Sequence, residues 1–83
     1  MKFELRIKRS VEKELNKIPF NFYTKIANFI FLLANNPYSS KSKKLKENIY
    51  RIRVGNYRVI YSINKLDKTV VITKVGHRKE VYR

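Results

Sequence analysis

Cysteine is absent from this 83-residue sequence, and histidine and acidic residues are scarce, with one histidine and six carboxylates. Without cysteine the chain can form neither a disulfide nor a thiolate zinc site, and it has no cysteine nucleophile. One histidine and six carboxylates leave little from which to build a transition-metal or two-metal centre. We therefore expect a protein that needs no metal and no other cofactor.

Long apolar segments are also missing. Charged residues are spread through the N-terminal part of the chain, so there is no apolar stretch typical of a signal peptide. The longest uncharged run, residues 26–40, is too short to span a membrane as a helix and is broken by Pro37. We expect a soluble, cytoplasmic protein with no membrane partner. The length predicts a single domain over residues 1–83.

What the sequence has in excess is positive charge. Twenty lysines and arginines outnumber six acidic residues, which gives a formal net charge of +14. Apolar residues make up 43% of the chain, which is enough for a folded core. Because like charges repel one another in a compact protein, a polyanion such as RNA or DNA is the first partner to consider. The alternative is a lysine-rich surface that serves only solubility.

The N-terminal half predicts a strand followed by two helices. Apolar and charged residues alternate over 3–8, the period of a half-buried strand. Ser10 stands where a helix N-cap is expected, and apolar residues spaced four and three apart over 11–18 form one helical face. Pro19 interrupts this helix, and a second one is predicted over 21–35.

The second helix is apolar around most of its circumference. Its main stripe consists of Phe22, Ile26, Phe29, Ile30 and Leu33. Further apolar residues widen the stripe beyond what one sheet face can cover, namely Tyr23, Ala27, Phe31, Leu32 and Ala34. Most of this surface is expected to be core, and the alternative is an apolar patch that docks a partner. The Asn36–Pro37 pair is expected to end the helix.

The C-terminal half predicts a loop and then a three-stranded meander. Residues 38–48 are polar and basic, which is typical of a loop, and alternation begins at 49–54. Gly55–Asn56 is a two-residue hairpin signal, with the return strand over 57–63. A very apolar strand over 69–75 is expected inside the sheet. The predicted order is β-α-α-β-β-β, an α+β fold with a helical hairpin on one face of a small, mainly antiparallel sheet.

Arginine is concentrated around the predicted hairpin. Arg51 and Arg53 share one face of a strand, and Arg58 lies just across the turn, so the three are expected to be close in space. Arginine offers a planar fork of donors that suits phosphate, whereas lysine is a hydrated point charge. The cluster therefore indicates an anion-binding site. The alternative is a cationic edge that discourages pairing with another sheet.

Two residues near the C-terminus could move protons. His77 is the one histidine of the chain, and imidazole is the side chain best suited to accept or donate a proton near neutral pH. Tyr82 could stack on a base or transfer a proton. Taken alone, each is more often an ordinary surface residue.

Three segments of the chain form a recognisable set: residues 50–61 read YRIRVGNYRVIY, residues 75–78 read VGHR, and residues 81–82 read VY. Together they resemble the RelE/ParE superfamily of type II toxins, and within it the RelE branch of mRNA interferases. The resemblance covers nearly the whole chain. It implies a metal-independent endoribonuclease that enters the ribosomal A site and cuts the mRNA there. The attacking group would be the 2′-hydroxyl next to the scissile phosphate, which leaves a 2′,3′-cyclic phosphate or 3′-phosphate and a 5′-hydroxyl.

The resemblance also implies roles for individual residues. Arg58 and Arg78 would stabilise charge on the phosphate, while His77 and Tyr82 would be the candidates for proton transfer. Positions expected to bind RNA are Arg51, Arg53, Lys44 and Lys46. RelE enzymes carry lysines at the basic pair where this chain has arginines, and arginine stays protonated. The general base is therefore sought first at His77 and then at Tyr82.

Partners follow from the same resemblance. A toxin that cuts mRNA implies a cognate antitoxin protein, and its site of action implies a 70S-type ribosome and mRNA. Two alternatives remain from the sequence. One is a ParE-like gyrase poison with the same fold, and the other is an RNA-binding module without catalytic activity.

Overall fold

Seven elements follow one another along the chain in the computed structural model, which describes residues 2–77. They are β1 (Glu4–Ile7), α1 (Arg9–Asn16), α2 (Phe20–Asn35), β2 (Ser42–Lys46), β3 (Ile49–Val54), β4 (Tyr57–Asn64) and β5 (Thr69–His77). The strands form one sheet in the order β1-β5-β4-β3-β2, in which β1 is parallel to β5 and the other pairs are antiparallel. The predicted α+β fold and helical hairpin are confirmed, with one strand more than expected.

The additional strand is β2, which lies inside the segment 38–48 that the sequence predicts as a loop. It pairs with β3 at the edge of the sheet, and most of its residues are exposed. An edge strand without a buried face has no apolar alternation to reveal it, which is why the prediction of a loop was wrong here. Its lysines also discourage another sheet from adding to this edge.

The helix boundaries are close to the predicted ones except at the start of α1. The N-cap is Lys8, which lies in extended backbone and makes no side-chain cap. Ser10 sits inside the first turn, so its assignment as N-cap was wrong. The chain turns directly from β1 into the helix, because the Lys8 N–H is held by the Ile72 carbonyl at 3.2 Å. Pro19 is the N-cap of α2, and a proline there leaves no helical hydrogen bond unmade.

Both helices pack on one face of the sheet, and within residues 2–77 the other face carries no helix; we call the latter the helix-free face. The buried apolar residues are those of the helices and of alternate sheet positions, namely Val11, Leu15, Ile26, Ile30, Leu33, Ile52, Val54, Val59, Tyr61, Ile63, Val70, Ile72 and Val75. Within residues 2–77 neither helix is long and apolar enough to cross a membrane.

A buried tyrosine joins the end of α2 to the sheet. The Tyr61 hydroxyl donates a 2.9 Å hydrogen bond to the Pro37 carbonyl, and its ring stacks on Tyr50 at 5.9 Å. Burial raises the pKa of Tyr61, which a hydrogen bond with Ser42 partly counteracts. The contact fixes how the loop after α2 enters the sheet.

Two features set which side chains share a face of the sheet. The predicted hairpin turn is confirmed: Gly55 has a φ of 60°, and Val54 pairs with Tyr57 across two turn residues. In the β4–β5 ladder, Ile60 and Tyr61 of β4 are consecutive, whereas their partners are Lys74 and Ile72. Thr73 is therefore an extra residue, a β-bulge, and the side chains beyond it change face.

Candidate nucleic-acid interface

The hairpin brings three arginines together on the helix-free face. Arg53 of β3 lies directly opposite Arg58 of β4, and Arg51 is two residues before Arg53. Residues directly opposite in an antiparallel ladder, and residues two apart in a strand, share one face of a sheet. We call Arg51, Arg53 and Arg58 the arginine cluster, and its members are those that the sequence places close in space.

Two members of the arginine cluster are buried and one is exposed. Arg58 has a relative exposure of 1% and Arg51 one of 8%, while Arg53 is exposed. Burial lowers the pKa of Arg51, and the charge of Arg53 lowers it further. Arginine nevertheless remains protonated at neutral pH, so the cluster presents three positive charges. Such fixed donors, partly shielded from water, suit an anion that carries more than one oxygen.

The lysines of β2 divide between the two faces of the sheet. Lys44 lies opposite Tyr50, a residue packed against the core, and so belongs to the helix-bearing face. Lys46 lies opposite Ile49, on the same face as the arginine cluster. Lys43 lies opposite Arg51, and the sequence analysis missed it. No face could be assigned to these lysines while the segment was interpreted as a loop.

His77 stands apart from the arginine cluster. It pairs with Tyr57 at the end of β5, and the two rings meet edge to face with centroids 5.8 Å apart. Tyr57 packs against the core, so its partner His77 lies on the helix-bearing face. Arg58 is the residue after Tyr57 in β4 and therefore points to the helix-free face. A cleft of about 390 Å³ beside His77 is lined also by Glu14 and Lys17, which form an ion pair of 3.6 Å.

Arg78 and Tyr82, to which the sequence assigns phosphate stabilisation and proton transfer, lie outside the described residues. Between residues 2 and 77 no three histidine, aspartate or glutamate side chains come together as metal ligands. Of the site residues predicted from the sequence, those that the structure places on the helix-free face are Arg51, Arg53, Arg58 and Lys46.

The apolar residues of α2 are divided between the core and the surface, as the breadth of its apolar stripe predicts. Ile26, Ile30 and Leu33 are buried in the core, whereas Phe31 is 70% exposed and Leu32 is 60% exposed. Both exposed side chains lie on the outer surface of the helix, away from the helix-free face of the sheet. The apolar patch weighed as an alternative from the sequence is therefore present at the surface.

Comparison with known proteins identifies the family of this chain. Residues 5–82 match the family model described as the ParE toxin of a type II toxin–antitoxin system, parDE. The chain is 32% identical over 88 aligned positions to RelE1 of Methanocaldococcus jannaschii, covering 100% of this chain and 98% of that protein. It is 28% identical over 86 positions to the toxin RelG of Mycobacterium tuberculosis, covering 100% and 99%.

A solved structure gives the same result for the fold. The archaeal RelE in the RelE–RelB complex of Pyrococcus horikoshii matches with a TM-score of 0.82 and 30% identity, over 94% of this chain and 97% of that one. The matches extend over the helical hairpin, the meander and the strands that carry the arginine cluster. The chain therefore belongs to the ParE toxin family and is a RelE-like toxin of a type II toxin–antitoxin system.

Proposed function

We propose that this toxin is a ribosome-dependent, metal-independent endoribonuclease that cleaves mRNA in the A site and so stops translation. The observation that carries the proposal is the convergence of Arg51, Arg53 and Arg58 on one face of the β3–β4 hairpin. The proposal is also supported by the similarity to the toxins RelE1 and RelG, which the chain matches over nearly their whole length. A cytoplasmic location follows from the substrate.

The reaction needs stabilisation of negative charge. The 2′-hydroxyl loses its proton to a base and its oxygen attacks the adjacent phosphorus. The bond from phosphorus to the 5′-oxygen breaks, and the leaving oxygen takes up a proton from an acid, which gives a 2′,3′-cyclic phosphate and a 5′-hydroxyl. Negative charge grows on the non-bridging oxygens in the transition state, and fixed donors there are typically worth about 10²–10³ in rate each. We assign this role to Arg58, whose buried guanidinium has little to reorganise, and to Arg78. Arg51 and Arg53 hold the neighbouring backbone.

Proton transfer must come from another group, because arginine cannot accept the proton of the 2′-hydroxyl. His77 lies on the opposite side of the β4–β5 ladder from Arg58. We therefore assign the proton transfer to Tyr82 ahead of His77, with the ribosome or the RNA itself as the remaining source. A His77→Gln variant that keeps full cleavage would support this order.

An antitoxin is the second partner that we propose. The relative from Pyrococcus horikoshii was solved as a RelE–RelB complex. With a net charge of +14, this chain suits a partner rich in acidic residues. The exposed Phe31 and Leu32 offer apolar contacts, and the arginine cluster offers ionic ones.

Induction of the chain alone in cells, followed by primer extension on translated mRNA, tests the proposed activity. We expect growth to stop and new 5′ ends to appear at ribosome-bound positions. Arg58→Ala should lower cleavage by about 10²–10³. Lys25→Ala, which removes an exposed cation of α2, is the matched control. Equal cleavage by Arg58→Ala and the wild-type chain would refute the assignment.

Inhibition of DNA gyrase is the second candidate function, because the matching family model is described as a ParE toxin. This function would not require the arginine cluster to meet RNA. A supercoiling assay with purified gyrase decides between the two. We expect gyrase to remain fully active in the presence of the chain; loss of supercoiling with intact mRNA would favour the gyrase function instead.

A further inference from the structure

A row of side chains crosses the sheet beside the arginine cluster. Lys43 lies opposite Arg51, Arg51 lies opposite Ile60, and Ile60 lies opposite Lys74. Because directly opposite residues share a face, all four belong to the helix-free face. The row runs over β2, β3, β4 and β5 and carries a lysine at each end.

We propose that a single strand of RNA lies along this row, at right angles to the β-strands, with Lys43 and Lys74 holding phosphates on either side of the one bound by the arginine cluster; we call this path the RNA track. The inference rests on the proposed function, because it takes RNA as the substrate. It adds two RNA-binding residues, and it gives the orientation of the RNA relative to the β-strands.

The length of the row suits a short piece of RNA. Three steps of about 4.8 Å between neighbouring strands separate the backbones of Lys43 and Lys74 by about 14 Å. At the spacing of about 3.4 Å per nucleotide that one strand has in duplex DNA, about four stacked nucleotides cover the row. An RNA strand laid along β3 instead would meet cations on that strand and on its neighbours, Lys43 included, but would leave Lys74, two strands away, unused.

The chemistry along the row also suits a nucleic-acid backbone. Lys43 and Lys74 are exposed, so their ammonium groups are accessible from solvent, whereas Ile60 between them is half-buried and apolar. Phosphates can meet the terminal cations while a ribose or base contacts Ile60. Beside this row, Gly76 lies opposite Arg58 and adds no side chain of its own next to the arginine cluster.

A role in solubility alone would make all exposed lysines of β2 equivalent. Lys44 follows Lys43 directly and is also exposed, but it lies on the helix-bearing face opposite Tyr50. The two positions therefore differ in face and in little else. If RNA lies across the helix-free face, Lys43 contributes to RNA binding and Lys44 does not.

Binding of a single-stranded RNA hexamer with 2′-O-methyl riboses tests the inference, because this probe lacks the attacking hydroxyl and stays intact. The variants are Lys43→Gln, Lys74→Gln and Lys44→Gln, with Lys25→Gln as the matched control. Each phosphate contact contributes about 0.7 to the slope of log affinity against log salt on single strands. We expect Lys43→Gln and Lys74→Gln each to flatten the slope by about 0.7, and Lys44→Gln and the control to change it much less.

Shorter probes give an independent measurement. Affinity for the wild-type chain should rise with length up to about four nucleotides and then level off. Equal slopes for Lys43→Gln and Lys44→Gln, or no change for Lys43→Gln and Lys74→Gln, would overturn the inference even if the wild-type chain cleaves mRNA. If the lysine variants behave as expected but the wild-type chain cleaves nothing, the proposed cleavage fails and the RNA track stands. If the wild-type chain does not bind the probe at all, the RNA track is overturned, while primer extension on translated mRNA decides the proposed cleavage separately.

Discussion

Replacing Arg53 by glutamine should make the protein more stable while it weakens RNA binding. Arg53 lies directly opposite Arg58 and two residues from Arg51, so two like charges surround it on one face. Like charges directly opposite in a sheet destabilise it, and cross-strand pairs are worth about 0.2–1 kcal/mol. Glutamine keeps the first methylenes of the side chain and removes the charge. Because Arg53 is exposed, the substitution leaves no cavity.

The expected gain is small but measurable. For a domain of this size, 1 kcal/mol in the free energy of unfolding corresponds to a shift of about 4–8 °C in Tm. A gain of about 0.5 kcal/mol therefore raises Tm by about 2–4 °C at low ionic strength. The gain should shrink as salt screens the exposed charge, because the Debye length falls to about 3 Å at 1 M.

Thermal unfolding by circular dichroism at two salt concentrations measures this effect, with two controls beside it. Arg53→Lys keeps the charge and should gain nothing. Lys25→Gln removes one charge from the total of +14 without touching the arginine cluster, so it reports the effect of net charge alone. Our reasoning is refuted if Arg53→Gln lowers Tm, or if Lys25→Gln raises Tm by the same amount.

Other predictions concern the fold. Tyr61→Phe should destabilise the protein by about 1 kcal/mol, seen as a lower urea midpoint, because the buried Pro37 carbonyl loses its donor. The pKa of Tyr61 is raised in the folded state, so the unfolded chain loses the phenol proton first as the pH rises. The free energy of unfolding should therefore fall above a pH of about 10, and a urea midpoint that stays constant above that pH would contradict the prediction. Gly55→Ala should cost about 1–2 kcal/mol from its φ of 60°, since its Cβ would meet Phe22 only at an ordinary 3.6 Å; an unchanged Tm would count against it. Ile26→Ala, at 0% exposure, should cost about 2–5 kcal/mol in the same urea titration.

The sequence predicts the arginine cluster, at the centre of the site, better than the lysines and the histidine around it. The turn at Gly55–Asn56 sets the register of its two strands, so the proximity of Arg53 and Arg58 follows from residue counting. The order of the helices and the meander follows from their apolar periods. These parts depend on short-range signals that lie within a few residues of each other.

The positions of the surrounding lysines and of His77 depend on strand pairings that the sequence does not reveal. Strand β2 forms because β3 offers it an edge, and its lysines carry no periodic signal, so the face of Lys43 could not be assigned. The face of His77 depends on a bulge several residues before it. No proline or glycine marks the bulge at Thr73, and simple alternation from Val70 would have sent His77 to the wrong side.

The bulge at Thr73 has a consequence for how this toxin can diversify. Deleting Thr73 would leave a regular ladder in which Ile72 still lies opposite Tyr61 and Lys74 still lies opposite Ile60, so Lys74 and His77 would keep their sides of the sheet. Closing the bulge while keeping all the residues would instead place Thr73 opposite Ile60 and move the later described residues of β5, Lys74 and His77 included, to the other side. Relatives with a strand of equal length here therefore share the sides of these two residues only if they share the bulge.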